Sequence, residues 1–372
     1  MKQYDIAIVG AGMAGASLAA EIGAGASVLL LEAEDRPGYH STGRSAAFWD
    51  ETYGGPVVQP LTTASGAFLS SPPSTFSGQG FLSPRGSIHL AAPEDFARLD
   101  SFAETFQAQG VVLETIDREV LSARIPGLHA GNWRALSEPG TRDIDVAALH
   151  DAYLRAARRA GVELRCAASL QGAHRENGYW TLEIASTPPV RATVLVDAAG
   201  AWADTVAVMA GVAPLGISPF RRTLSQLRID REVPADMPLV IDVGERFYFK
   251  PEAGVRIWLS PHDETPEAPG DSAPHELDIA TAIDRLSGVV DWRIERVERS
   301  WAGLRSFAPD RVPVYGFAKD APGFFWFAGQ GGFGIQTAPA AAMIGAALLT
   351  GSALPSAVGA FDPDRYSPLR FG

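Results

Sequence analysis

Gly10, Gly12 and Gly15, set in Val9-Gly10-Ala11-Gly12-Met13-Ala14-Gly15, are the residues whose spacing most directly implies a chemistry. Gly10 lets the chain turn sharply out of a strand, and Gly12 lacks a Cβ, so the backbone can approach a pyrophosphate. Gly15 lets the following helix pack close to the sheet. Met13 and Ala14 open that helix, whose free N–H groups and positive dipole end then face the phosphates. Glu32 closes the next apolar run, at the spacing of a carboxylate that accepts hydrogen bonds from a ribose 2′-OH and disfavours a 2′-phosphate. A glycine-rich turn without a nucleotide does not account for an apolar strand on each side. NAD and FAD both present an ADP moiety to such a unit, and the motif leaves both open.

Three further glycine loops suit a cofactor. Ser41, Thr42 and Ser45 supply short hydroxyl donors around Gly43, Arg44 and Ala46, fitting a second phosphate or the polar rim of a flavin, though an ordinary capped turn has the same composition. The apolar strand ending at Val196 breaks into Asp197-Ala198-Ala199-Gly200-Ala201-Trp202, a second place for close backbone approach. Phe324 to Ala328 then runs into Gly331, Gly332, Phe333, Gly334, Ile335, Gln336 and Thr337 before an Ala-rich helix. A helix start opened by glycines can turn its positive end toward the pyrimidine edge of a flavin.

The elements that must hold these loops follow from periodicity. Helices are expected over Pro93 to Gln109 and Asp143 to Ala160, and strands over Val162 to Cys166, Tyr179 to Ile184 and Ala192 to Val196; strands dominate from Val212 to Trp301. The chain of 372 residues with 46% apolar content can bury a large core. Its net charge of −12, without a clustered basic surface, argues against nucleic acid. The first strand starts close to Met1, leaving no room for a secretory signal, and Ala338 to Leu349 is too short to span a bilayer; a soluble cytoplasmic protein with no stable membrane association is expected. Cys166 is the only cysteine, and the seven histidines are scattered, so no metal site is expected and any cofactor is held non-covalently.

Taken together, the Gly10 to Gly15 motif with Glu32, the Tyr39 to Ala47 block, the Asp197 to Trp202 strand end, the Trp301-Ala302-Gly303-Leu304-Arg305-Ser306 block and the Gln330 to Thr337 loop resemble the D-amino-acid oxidase superfamily of FAD enzymes, and within it the bacterial D-arginine dehydrogenases. The resemblance runs from the first strand to the last helix. It implies an α/β (α+β overall) fold, with a glutathione-reductase-like FAD-binding Rossmann domain (1–47, 139–211 and 305–372). An antiparallel-sheet substrate domain (48–138 and 212–304) is interleaved with it. It also implies FAD contacts at the four loops and, in the Trp301 to Ser306 block, at Gly303 and Arg305.

The family's carboxylate clamp falls on Arg222 and Arg305, with Tyr248 as a phenolic donor and Tyr53 as a lid tyrosine. Arg221 and Arg222 are neighbours on a strand, so only one can face the ligand, and the alignment favours Arg222. The Gly332 carbonyl and the Gln336 side chain take the family's substrate-amine and flavin-side contacts. Two departures bear on selectivity. Ser87 stands where the arginine enzyme has a glutamate, and Phe48 where it has a histidine, so a cationic substrate side chain would lack a counter-charge unless Asp50 or Glu51 replaces it. The implied reaction is oxidation of neutral or apolar D-amino acids to 2-oxo acids and ammonia, with oxygen, a quinone or another acceptor taking the electrons. Oxidation of a secondary amine or imino acid, such as sarcosine, glycine or D-proline, is the alternative within the family. A non-catalytic flavin-binding protein and an NAD-dependent dehydrogenase are the alternatives outside it.

Overall fold

The computed structural model describes residues 1–252, 254–359 and 361–372. Its first sheet is built on four parallel pairings: Gln3–Val9 with Val28–Leu31 and with Val190–Asp197, Val28–Leu31 with Glu163–Arg165, and the end of Val190–Asp197 with Phe324–Ala328. Such strands are covered on both faces, so they read as continuous apolar runs, as Val28–Leu31 and Phe324–Ala328 do. Leu170–Glu176 and Tyr179–Ile184 extend the sheet as an antiparallel hairpin. One face packs against the helix Met13–Ile22 and the almost wholly buried helix Ala338–Thr350. Gly345 sets their spacing: a Cβ there would lie 3.0 Å from Leu18 Cδ1 and 2.7 Å from the Phe327 ring.

A second, larger sheet runs from Gln330–Gly331 through Ile294–Phe307, Ser218–Ile229, Arg256–Ser260, Tyr248–Pro251 and Leu239–Asp242 to Ser87–Ala91, Arg134–Glu138 and Glu114–Thr115. It is antiparallel except where Leu239–Asp242 lies parallel to Ser87–Ala91. Its outer face carries Leu227, Phe249, Ile257 and Leu259 against the helix Glu276–Ser287, through Ala282 and Leu286. Register decides what the inner face presents. Arg222 pairs with Gly303 and Phe220 with Arg305, so the two arginines project from one face of adjacent strands, two positions apart. Tyr248, across from Ser260, joins that face. Arg221 is on the other side and is held by Glu267 and Asp278, each at 2.8 Å.

The structure differs from the sequence expectation in three places. The segment 48–138 holds three α-helices rather than one: Gln59–Ser70 and Arg118–Arg124 accompany Phe96–Gln107. The Gln59–Ser70 helix starts at Gln59-Pro60 and is rich in Ser and Thr, which hides the Leu61, Ser65, Leu69 stripe that it buries. The helix Glu276–Ser287 likewise interrupts the strand-rich region, amphipathic with only Ala282 and Leu286 fully buried. Ile294–Phe307 also runs unbroken through position 304, so a domain boundary drawn there cuts a strand. A small sheet of Phe48–Trp49, Arg142–Ile144 and Leu82–Pro84 joins the two bodies.

Candidate active site

One cleft of about 410 Å³ follows the carboxyl ends of the parallel strands and continues under the inner face of the second sheet. This is where an open α/β sheet binds its ligand. At the nucleotide end Gly10 adopts φ +100°, and a Cβ there would lie 2.5 Å from the Ala198 carbonyl oxygen. Gly12 is the N-cap of Met13–Ile22 and offers no side-chain cap, so beyond the Met13 N–H that helix start is left open to a ligand. Thr42 Oγ1 accepts from Met13 N at 3.0 Å. Glu32 follows Val28–Leu31, accepts from Ala11 N and Glu34 N at 3.1 Å each, and has its carboxyl pushed up by burial. This set fits an adenine dinucleotide: a bare helix start for the pyrophosphate and a buried carboxylate for a ribose.

Of the residues expected to contact the cofactor, Gly10, Gly12, Met13, Ala14, Glu32, Ser41, Thr42, Arg44, Ser45, Ala46, Ala199, Gly200, Trp202, Gly303, Arg305, Gly331, Gly332, Gly334, Ile335 and Gln336 line the cleft. Gly15, Gly43, Phe333 and Thr337 do not. Gly15 acts through packing, since a Cβ there would meet the Gly10 carbonyl oxygen at 1.9 Å, and Gly43 lies against the Gly38 carbonyl in the same way, at 2.6 Å. Phe333 packs its ring against Phe307, and Thr337 caps its own turn on the Phe333 carbonyl. Arg44 lines the cleft with its stem, but its guanidinium is committed to Asp271 and to the carbonyls of Ser272 and Ala302, leaving it little capacity for a phosphate.

At the other end of the cleft Arg222, Arg305, Tyr53, Tyr248 and Phe48 converge. Arg305 Nη2 donates to the Tyr53 hydroxyl at 2.8 Å. Arg222 is buried, donates Nε to the Asp263 carbonyl at 2.7 Å, and keeps Nη1 buried with no partner. Phe48 touches both tyrosine rings edge-on, at 5.0 Å and 6.0 Å. Burial, then the neighbouring Tyr53, pushes the Tyr248 phenol up, so it stays a donor at neutral pH. Gln336 locks the segment that carries Tyr53: it accepts from Asp50 N at 3.1 Å and donates to the Tyr53 carbonyl at 3.0 Å. Gly332 lies flat under Arg305, where a Cβ would sit 1.7 Å from Nη2 and 2.2 Å from Cζ. The colliding group is a movable side-chain end, so Gly332→Ala is expected to fold and keep its cofactor while displacing Arg305. Turnover should fall by about 100-fold, the scale of a 1 Å misplacement, with a melting temperature near that of the wild type.

Ser87, expected to set selectivity, does not line the cleft. Its hydroxyl donates to Asp50 at 2.9 Å within a buried group formed with Thr52, His89, Glu138 and Thr141. The strand Ser87–Ala91 is buried along its whole length, and of the two selectivity positions Phe48 lines the cleft while Ser87 does not. Asp50 also accepts from Tyr53 N at 3.0 Å, so this group supports Tyr53 from behind. Asp50, His89 and Glu138 offer ligand atoms within 4.8 Å of one another.

Burial, then the charge of Asp50, raises the Glu138 carboxyl to about 7. His89 is also raised: burial opposes the shift, but the hydrogen bond to Glu138 and the charge of Asp50 outweigh it. Both groups hold protons more tightly folded than unfolded, so their contribution to stability is present at low pH and is lost as pH rises through about 7. The wild-type melting temperature is therefore expected to drop as pH rises from about 5 through about 7. Glu138→Gln should flatten that slope, which thermal melts across the range would show.

Sequence reasoning passed over the segment Pro261 to Glu264. Its His262 adopts φ +56° and stacks on Tyr53 with ring centroids 6.3 Å apart. Burial, then Arg222 and Arg305, lowers the imidazole to about 2, so it is neutral, and its Nδ1 has no partner. The signal available was a His-Asp-Glu run directly after the buried strand Arg256–Ser260.

The family model described as "DAO: FAD dependent oxidoreductase" matches residues 5–348. The chain is 23% identical to the hydrogen cyanide synthase subunit HcnC of Pseudomonas aeruginosa, covering 99% of this chain and 97% of that protein. Among solved structures it is similar to glycine oxidase from Geobacillus kaustophilus, with TM-score 0.84 and 22% identity over 99% of this chain and 98% of that one. It is similar also to L-proline dehydrogenase from P. horikoshii, with TM-score 0.83 and 21% identity over 100% and 98% of the two chains. At these identities the structural likeness speaks for the fold.

Proposed function

The chain belongs to the DAO family of FAD-dependent oxidoreductases, and on that premise we propose that it oxidises the Cα–N bond of small amino acids with neutral side chains, D-amino acids foremost. Bound FAD supplies the acceptor for the Cα hydrogen and its electron pair. The imino acid so formed takes up water and leaves as a 2-oxo acid and ammonia. The observation that carries this reading is the buried, unpartnered Nη1 of Arg222 on the same sheet face as Arg305. A buried guanidinium with a free N–H calls for an anion, and two guanidinium groups side by side suit a planar carboxylate.

In this reading Arg222 and Arg305 hold the substrate carboxylate, and Tyr248 and Tyr53 add phenolic donors. Because Arg305 donates to the Tyr53 oxygen, the Tyr53 proton is free to turn toward that carboxylate. The Gly332 carbonyl faces the amine, which binds neutral, and no side chain acts as a strong base. Phe48 walls off the side-chain region, and the acids lining the cleft among the described residues, Glu32 and Glu34, lie at the nucleotide end. A cationic side chain would therefore be buried without a counter-charge. The clamp also accepts N-substituted glycines, because it grips the carboxylate and leaves the nitrogen substituent free. The reading assumes a cytoplasmic enzyme, with oxygen or a quinone as final acceptor. Among the described residues no helix is long and apolar enough to cross a membrane.

Anaerobic mixing of the purified protein with D-amino acids, L-amino acids and N-methylglycine, followed by flavin absorbance, tests it. Bleaching by neutral D-amino acids is expected. Recovery of colour on admitting air would identify oxygen as acceptor. Absence of bleaching by every amino and imino acid, with FAD bound, would overturn the proposal.

A further inference from the structure

The two clamp arginines already share a carboxylate. Glu264 Oε1 accepts from Arg222 Nη2 at 3.3 Å and from Arg305 Nη1 at 3.0 Å, so a single oxygen bridges both guanidinium groups. The same carboxylate is gripped from outside by Arg311, whose Nη2 lies 2.8 Å from each Glu264 oxygen. The root of this loop is fixed. Asp263 is nearly buried, accepts from Thr223 N at 2.7 Å and Thr223 Oγ1 at 2.9 Å, and gives its carbonyl to Arg222 Nε. Glu264 itself is one-third exposed and Arg311 half-exposed, with the Arg311 guanidinium 3.9 Å above the Phe307 ring. The loop is thus rigid up to Asp263, while the Glu264 side chain has two partners facing inward and one at the rim.

We propose that Glu264 is an internal stand-in for the substrate carboxylate: in the empty enzyme it occupies the Arg222–Arg305 pair, and an incoming carboxylate displaces it outward onto Arg311. The inference rests on the carboxylate-clamp reading above and adds the device that sets its affinity. Two carboxylates cannot share the inner pair cheaply, because each would sit beside a like charge in a poorly hydrated cleft. Arg311 gives the displaced group a place to go without leaving it unpaired. Glu264 is accordingly a positioning and selectivity residue. It keeps the arginines neutralised and oriented when no ligand is bound, and it favours ligands whose carboxylate binds strongly enough to exchange with it.

The test is acetate binding to the FAD-loaded protein, followed by titration calorimetry, on wild type, Glu264→Gln and Glu264→Asp. Retained flavin and melting temperature report folding. Removing the charge in Glu264→Gln should tighten acetate by about tenfold, one decade in dissociation constant. Glu264→Asp keeps the charge but is one methylene too short to bridge the pair, and it should still tighten acetate by about threefold. A field effect of the charge alone would tighten acetate in Glu264→Gln and leave Glu264→Asp like wild type, which overturns displacement. Failure of Glu264→Gln to tighten acetate overturns it as well. If wild type binds acetate and the variants bind it no better, only this inference falls. If no form binds acetate although flavin is retained, the clamp reading falls and the inference with it.

Discussion

Replacing Arg222 with methionine is expected to lower kcat/KM for the bleaching substrate by about a thousandfold, roughly the 4 kcal/mol lost when one partner of a buried, hydrogen-bonded charge pair is removed. The side chain is 6% exposed, and its place on Ser218–Ile229 aims it into the cleft opposite Gly303. Methionine fills similar volume without a donor, so the strand pairing on both sides should hold and flavin content should stay near wild type. Arg222→Lys should recover only a small part of the loss, since an ammonium lacks the planar fork that two carboxylate oxygens require. Anaerobic stopped-flow reduction across a range of substrate concentrations measures the effect. Bleaching by Arg222→Met at the wild-type rate would remove the carboxylate clamp from the account.

Gly15→Ala should leave the protein colourless. A Cβ at this position would stand 1.9 Å from the Gly10 carbonyl oxygen and 3.3 Å from Ile8 Cγ2. The first of these is backbone, so the helix Met13–Ile22 must move away from its sheet, and the bare helix start at Gly12 moves with it. Overpacking that shifts backbone in a closely packed core costs about 3 kcal/mol or more, a large part of the stability of a typical domain. The expected result is loss of flavin absorbance from the purified protein and a melting temperature well below wild type. Gly25→Ala provides the control, because a Cβ there meets nothing within 4 Å and neither property should change. A yellow Gly15→Ala protein with a normal melting temperature would contradict this account of the motif.

The nucleotide end was legible because its determinants are local. Gly10, Gly12 and Gly15 lie within one turn, and Glu32 is tied to them by a single βαβ unit, so spacing along the chain translates directly into spacing in the fold. The placing of Arg222 and Arg305 on one sheet face was reachable only through resemblance, because it depends on the register of two long strands from distant parts of the chain. That Arg221 and Arg222 face opposite ways did follow from strand alternation alone. Ser87 shows the limit of position-by-position transfer: the resemblance puts it in the cleft, whereas the strand turns it toward Asp50 and Thr141. The buried group of Asp50, His89 and Glu138 was invisible in the sequence, its members being spread over three strands and loops with no periodic mark. Glu264 was overlooked for a simpler reason. A charged residue in a proline-bounded loop reads as solvated surface until its three arginine partners are brought to it.

The packing of Leu18 against Gly345 has a consequence for biosynthesis. The dinucleotide motif is synthesised well ahead of its packing partners: its helix has no complete apolar partner until Phe327 and Ile344 have been made. The Phe324–Ala328 strand that flanks Val190–Asp197 arrives equally late. With synthesis running from the N-terminal side at about 5–20 residues per second, the nascent chain carries an unfinished cofactor cradle until those residues emerge. Termination after the glycine motif but before Ala338–Thr350 should therefore yield a product unable to retain FAD, although Gly10, Gly12 and Gly15 are all present.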